Sequence, residues 1–469
     1  MTSIEWPSQL SINAFTGDGP VSSTPSADAE SWVLRSGPPR IRTFLRPDKP
    51  PDLTNWRDPR VGWGLVLPDN AALSESDAAS AADAPESIRT LVAERGENGS
   101  PAPVFRYRPG ANRAGFLRRG HADIPVSQAP KGTGPGAIPR YLLIYGTPQQ
   151  IPWDVQYHLN AVCAVGRLSI SGAGLDNYVS ALRSGWKNAS SRSDTAVVWA
   201  VDHGPDDITN LMRLAIAQQV FDKIKSDAQM AGSSVYLNGA TAGVATGQHL
   251  VETLVSRKPS LVVTTSHGQT GPLDNVALMK ENLGLPVDDH RTALKPSSLL
   301  AAWQPSGAIW YAHACCSAGS DAQTIFDGLV QKDSVVDRVL KGVAAVGAQV
   351  APLPEALLSA PEPLRAFVGH VEPTFDWTLR QRLTGQFLTA PIHEALYDRL
   401  LQPEPLGLAL RGVYDQLAPI YTEYDAQLRQ FNKGTPNSES RMLYHLLIAR
   451  DVQSMVMLGD PTATLPAMN

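Results

Sequence analysis

From Tyr141 onward short apolar runs alternate with longer amphipathic stretches, whereas the residues before it show no such rhythm. The apolar runs at 141–145 (YLLIY), 162–168 (VCAVGRL), 196–201 (AVVWAV), 234–238 (SVYLN), 261–266 (LVVTTS), 308–314 (AIWYAHA) and 343–349 (VAAVGAQ) predict strands. Their continuous apolar character is that of strands covered on both faces, hence a mostly parallel sheet flanked by helices. Helical spacing predicts helices at 208–230, 247–257, 322–331, 375–385, 391–401, 405–430 and 438–456, which makes the C-terminal hundred residues mainly helical.

Residues 1 to about 140 are rich in Pro, Gly, Ser and Ala; "GWGLVLP" is a strand candidate among them, and "SESDAASAADAPES" and "APKGTGPGAIP" predict loops. Between them "FRYRPGANRAGFLRRGHADIP" concentrates Arg106, Arg108, Arg113, Arg118 and Arg119 in a piece without a clear period, expected as an exposed loop. No internal repeat is evident.

Composition narrows the class without deciding it. Lys and Arg total 40 against 45 Asp and Glu, a formal charge of −5, so nothing electrostatic calls for nucleic acid or an acidic membrane. The chain shows no apolar run of membrane-spanning length, and "MTSIEWPSQLSINAFTGDGP" lacks a secretory pattern, so a cytoplasmic location is expected. Three cysteines, two of them neighbours, suit a reducing compartment and place any role for them in thiol chemistry.

Two loops carry candidate chemistry. "LVVTTSHGQTGP" delivers His267 and Gly268 at the end of one predicted strand, and "AIWYAHACCSAGS" delivers Cys315 and Cys316 at the end of the next. Functional groups in open α/β sheets collect at the carboxyl ends of strands. An imidazole beside a thiol can serve as its base, and small residues around both leave backbone N–H groups open for an oxyanion. Plain packing is the competing account, since a Cys at a strand end is often only buried and a His before Gly often only ends a turn. A zinc site from His267, His313, Cys315 and Cys316 lacks the second spaced pair such sites use. Cys163, inside an apolar strand, reads as core. A Gly-x-Ser-x-Gly elbow is missing, and "GATAGVATGQ" and "SGAGLDN" lack the residues of phosphate and dinucleotide loops.

A strand ending in His-Gly followed by a strand ending in Ala-Cys and small residues resembles the caspase-gingipain fold of cysteine peptidases (clan CD). Within it the chain is most similar to bacterial gingipain-like and CHAT-type proteins. "YLLIYGTPQQIPWDVQYHLNAVCAVGRLSI", "FVGHVEPTFDW" (367–377) and "MLGDPTATLP" (457–466) extend the likeness over roughly residues 141–466. The resemblance implies a caspase-like α/β/α sandwich with a mostly parallel sheet at 191–469, a smaller α/β subdomain at 131–190 and a helical C-terminal region. Residues 1–130 would be an irregular segment, a candidate pro-region. It implies His267 and Cys315 as the catalytic pair, with Cys316 as the alternative nucleophile, and Gly268 and Cys315 backbone N–H groups as the oxyanion site. In "VDHGPDDITNLM" it implies Asp206 or Asp207 as the acid that receives a basic P1 side chain, while an N-cap is the local alternative for Asp207. His370, with Glu372 and Asp376 near it, reads as packing, and Trp153, Asp154 and Tyr157 as subdomain contacts. The expected activity is a cysteine endopeptidase acting on protein or peptide substrates, in bacterial defence or regulated cell death. It needs neither metal nor organic cofactor, although calcium dependence occurs among such enzymes. Arg113, Arg118 and Arg119 are the candidate processing sites for self-cleavage or an activating protease. The alternative is a non-catalytic scaffold on the same fold.

Overall fold

Apolar residues on alternate positions of the central strands enter different core layers. In a computed structural model, which describes residues 10–15, 20–23, 49–96, 99–110, 115–381, 384–402 and 404–466, the contacts divide the chain after Pro50. In the first unit β1 (Leu10–Phe15) and β2 (Pro20–Ser23) form an antiparallel hairpin.

The second unit, Pro51–Asn469, is built on one twelve-stranded sheet. Its N-terminal strands are β3 (Trp63–Pro68), β4 (Val104–Tyr107), β5 (Phe116–Arg119), β6 (Ala122–Pro125), β7 (Tyr141–Tyr145) and β8 (Ala164–Leu168). Then come β9 (Arg192–Ala200), β10 (Val235–Asn238) and β11 (Pro259–Thr265), with the short pair β12 (His267–Gly268) and β13 (Pro286–Val287) outside the main sheet. β14 (Ile309–His313) follows, then the small pair β15 (Gly319–Ser320) and β16 (Gln349–Val350), and finally β17 (Ala366–His370) and β18 (Met455–Gly459). The spatial order is β10-β9-β11-β14-β17-β18-β8-β7-β3-β4-β5-β6. Pairing is parallel from β10 to β17 and again from β18 to β4. It is antiparallel between β17 and β18 and along β4-β5-β6. Two parallel blocks of opposite direction therefore meet at β18. Gly166 lets β8 reach β18 from the other side, because a Cβ there would overlap the Gly459 carbonyl.

Val198, Val263 and Tyr311 of β9, β11 and β14 pack with Ile216 and Val220 of a helical stretch over 208–226. Val197, Val262 and Trp310 face the other layer, with Leu250 of the helix Gly247–Arg257 and Leu357 of the helix Pro352–Leu358. The α/β class and mostly parallel sheet expected from the apolar runs are present. Among the described residues no helix is long and apolar enough to cross a membrane.

Several expectations need correction. The strand expected in GWGLVLP is β3, but the rest of residues 63–125, expected to be irregular, supplies three more strands of the main sheet as well as the helix Glu86–Glu94, and 141–168 supplies two more strands of that sheet. Residues 343–349 finish the helix Val335–Ala345, and only Gln349 and Val350 are extended. Ser334 accepts a hydrogen bond from Asp337 N–H at 3.2 Å, and this capping pair starts that helix. Residues 322–331 form turns, the described residues of 375–385 hold a single helical turn at Asp376–Thr378, and 405–430 is broken into three helices. β17 and the extended part of 455–459 went unpredicted; both are short buried strands.

Candidate active site

β11 and β14 are neighbours, parallel, and in register at Thr265 opposite His313. His267 and Cys315 each follow two residues later, so they leave the same edge at the same level. Ser266 N–H donates to His313 O at 3.3 Å and holds the two strand ends together. Gly268 packs on the Cys315 backbone so closely that a Cβ would overlap the Cys315 carbonyl. Gln269 N–H donates to Leu285 O at 2.9 Å, and antiparallel alternation then turns the Gly268 N–H away from β13.

The two thiols occupy different environments. Cys315 is half-buried and its Sγ accepts from Thr374 N–H at 3.4 Å. Burial pushes this thiol up from its ordinary value, and the Thr374 N–H works against that rise. Cys316 is fully buried among Met279, Leu283 and Val343, with φ of +56°. Burial pushes its thiol up well beyond the ordinary value, and the neighbouring thiol and Glu372 add to the rise.

His267 Nε2 lies 3.0 Å from Asp207 Oδ2. Asp207 also caps the helix Ile208–Met212, accepting from Thr209 N–H at 2.9 Å and from Thr209 Oγ1 at 2.6 Å. Burial opposes its charge, but these Thr209 bonds and His267 prevail and hold the carboxyl down at about 2. Ionised Asp207 can only accept, so His267 carries a proton on Nε2, and in the neutral ring Nδ1 is the acceptor. The His203 ring stacks on His267 with centroids 5.5 Å apart, and its Nε2 lies 3.1 Å from Asp288 O. Donor atoms of His203, Asp207 and His267 lie within 4.8 Å of one another, a spacing compatible with a divalent ion. His313, Cys315 and Cys316 are not part of that group.

Asp206 stands exposed on the turn before Asp207. Asp202 pairs with Arg213 Nε at 2.8 Å. A neighbouring cavity of about 390 Å³ is lined by Asp202, Asp289 and His290, and neither Asp206 nor Asp207 reaches it. Asp289, which no sequence signal singled out, has a buried Oδ1 without a partner, and burial raises its carboxyl above the ordinary range.

No family model, curated protein or solved structure matches the chain. The surroundings of Cys315 are nonetheless well defined. Trp153 Nε1–H donates to Ser320 O at 2.9 Å, so the 147–160 segment buttresses the turn that follows the thiols. His370 is buried; its N–H donates to Ser317 Oγ at 3.1 Å and its O accepts from Ala318 N–H at 2.8 Å. Glu372 accepts from Ile325 N–H at 3.1 Å and Thr324 Oγ1 at 3.0 Å. Thr374, the only described donor to the Cys315 sulfur from another segment, is a residue that sequence reasoning missed.

The arginine cluster is not an open loop. Arg106 is buried on β4 in a two-pronged pair with Asp83, at 2.9 and 2.8 Å. Arg118 and Arg119 lie within β5, where Arg118 bonds Asp69 at 3.2 Å and Arg119 bonds the Gly134 carbonyl at 2.7 Å. Arg113 lies outside the described residues.

Proposed function

We propose that the protein is a cysteine endopeptidase of the caspase-gingipain type, with Cys315 as nucleophile and His267 as its acid-base partner. The observation that carries this reading is the placement of His267 and Cys315 at matching positions beyond adjacent in-register parallel strands, with Gly268 against the Cys315 backbone. Three features give it chemical sense. Burial keeps the Cys315 thiol protonated at rest, so a base is needed, and Nδ1 of the neutral His267 ring supplies one. Asp207 fixes that tautomer and favours the imidazolium that forms when the thiol gives up its proton. The exposure of Cys315, against complete burial of Cys316, favours Cys315.

In this reading Cys315 Sγ attacks the peptide carbonyl as its proton passes to His267 Nδ1. The Gly268 and Cys315 N–H groups receive the oxyanion, and His267 returns the proton to the departing amine. Water then releases the acyl group. Asp207 is occupied by His267 and Thr209, which leaves Asp206 to recognise a basic P1 side chain. A role in bacterial defence or regulated cell death rests on the resemblance alone.

Purified wild type, Cys315→Ala and Cys316→Ala should be treated with an acyloxymethyl ketone bearing Arg at P1, followed by mass spectrometry and turnover of Arg- and Lys-terminated peptide amides. Labelling and turnover should persist in Cys316→Ala and vanish in Cys315→Ala. Labelling that follows Cys316, or a wild type inert to both reagents, would contradict the proposal.

A further inference from the structure

Behind Cys315, on the face of the sheet covered by the helices Leu417–Phe431 and Ser438–Ser454, lies a cavity of about 320 Å³. Its walls include Leu388, Ile392, Val413, Ile420, Ile448 and Met455. Three deeply buried polar side chains also line it: His313 of β14, His370 of β17 and Asp451. Each has an atom without a hydrogen-bond partner, namely His313 Nε2, His370 Nε2 and Asp451 Oδ1. Leaving such groups unpaired costs free energy, and three around one cavity mark a place where something is bound.

The bonds around these groups define what that something must offer. Ser454 Oγ spends its proton on Asp451 O at 2.8 Å, so at 3.2 Å it can only accept from His370 Nδ1–H. That fixes the His370 tautomer and leaves Nε2 as an acceptor. Asp451 Oδ2 already accepts from Thr378 Oγ1 at 2.6 Å and Phe375 N–H at 3.3 Å, while Oδ1 stands 4.0 Å from His370 Nδ1. His313 Nδ1 meets Tyr311 OH at 2.9 Å, and Nε2 is an acceptor or a donor according to which of the two holds the shared proton. His370 Nε2 and, once ionised, Asp451 Oδ1 are thus open acceptors in a largely apolar chamber.

We infer that this cavity binds a small primary ammonium compound with an apolar body, and that occupancy sets the reactivity of Cys315. An ammonium group has N–H donors and one positive charge, which answers His370 Nε2 and stabilises Asp451 as a carboxylate. The volume sits at the low end for small-molecule sites and suits an alkyl or arylalkyl amine. The route to the thiol is short. Phe375 N–H is held by Asp451, and the preceding amide, Thr374 N–H, is the one that donates to Cys315 Sγ. A ligand that draws on Asp451 and His370 shifts the segment carrying both amides and changes the donor that the sulfur sees.

The test uses the full chain with n-hexylammonium, 1-hexanol and hexanoate as probes. Binding is followed by calorimetry, and the iodoacetamide alkylation rate of Cys315 by mass spectrometry. Hexylammonium should bind saturably and about tenfold or more tighter than the alcohol or the carboxylate, the worth of one charge-assisted hydrogen bond. At saturation the alkylation rate of Cys315 should change by about threefold or more, because thiol reactivity follows the groups around the sulfur. Asp451→Asn should lose the preference for the amine, and Ile420→Trp, which fills the chamber and leaves the polar wall intact, should lose binding and the rate change together. Equal binding of hexanol, no saturable binding of any probe, or alkylation indifferent to saturating amine would each overturn the inference.

Discussion

Asp207 serves two neighbours with one carboxylate, and substitution can separate the two services. As a cap it accepts from Thr209 N–H, and as a partner it accepts from His267 Nε2. Asp207→Ala should lose both: about 1 kcal/mol of stability from the cap, and about 10- to 1,000-fold in turnover through the misplaced imidazole. Asp207→Ser keeps a capping oxygen but no charge for His267, so it should recover the stability and not the turnover. Urea denaturation alongside peptide hydrolysis measures both. A serine variant as active as wild type would show that Asp207 only caps. A purely sequence-based reading could see that an acid preceded a helix here. It could not see the acid reach a histidine 60 residues away, because that contact depends on the β9–β11 pairing.

At the level of elements, the hairpin β5–β6 governs whether the arginine cluster can be processed. A protease needs several residues of extended, accessible chain, and Arg118 and Arg119 lie in a paired strand with guanidinium groups bonded to Asp69 and Gly134. Trypsin cleavage after these two residues should therefore be slow in the native protein and become fast in about 4 M urea, where paired strands open. Timed digestion with N-terminal sequencing would reveal it, and rapid native cleavage at Arg118 would contradict the account. The elements differ in how plainly the sequence announces them. The strands β7, β9, β11 and β14 are continuous apolar runs bounded by turn residues, and they were legible with the loops that carry His267 and Cys315. Beyond β3 in GWGLVLP, residues 63–125 were not: their other strands are four residues long, separated by Pro and Gly, and gain stability by adding to an existing sheet. VAAVGAQ misled because an apolar run of that length fits a buried helix end as well as a strand.

For the whole molecule, the Gly-Asp-Pro turn is a tie between its two ends. Asp460 is fully buried and accepts from Trp63 Nε1 and from Arg95 Nη1, both at 3.1 Å, while Arg95 also packs over the Trp63 ring. Asp460→Ala leaves Arg95 buried without its counter-charge and should cost about 3–5 kcal/mol, read as a lowered urea midpoint; a loss under about 1 kcal/mol would mean the pair is replaceable by water. Four other buried groups contribute opposing responses to acid. Burial raises Asp451 and Glu372 to about 7, lowers His313 to about 4 and lowers His370 well below its usual range. Between about pH 4.5 and 6.5 the unfolded chain binds protons on two imidazoles that the folded chain excludes, and the folded chain retains protons on two carboxyls that the unfolded chain releases. The two effects cancel, so these groups leave wild-type stability nearly level. Asp451→Asn removes one carboxyl, so the unfolded state binds one proton more than the folded state and stability rises with pH by about 1.4 kcal/mol per unit across that window. Urea titrations at three pH values measure the slope, and a variant as level as wild type would contradict it. The seam at β18 has a consequence for biosynthesis. Every other strand of the sheet precedes Met455, yet β17 and β8 gain their shared neighbour only when residues 455–459 arrive. On the ribosome both edges therefore stand open from the completion of β17 at His370 until β18 begins at Met455, and the time spent waiting for β18 is when the nascent chain most needs a chaperone.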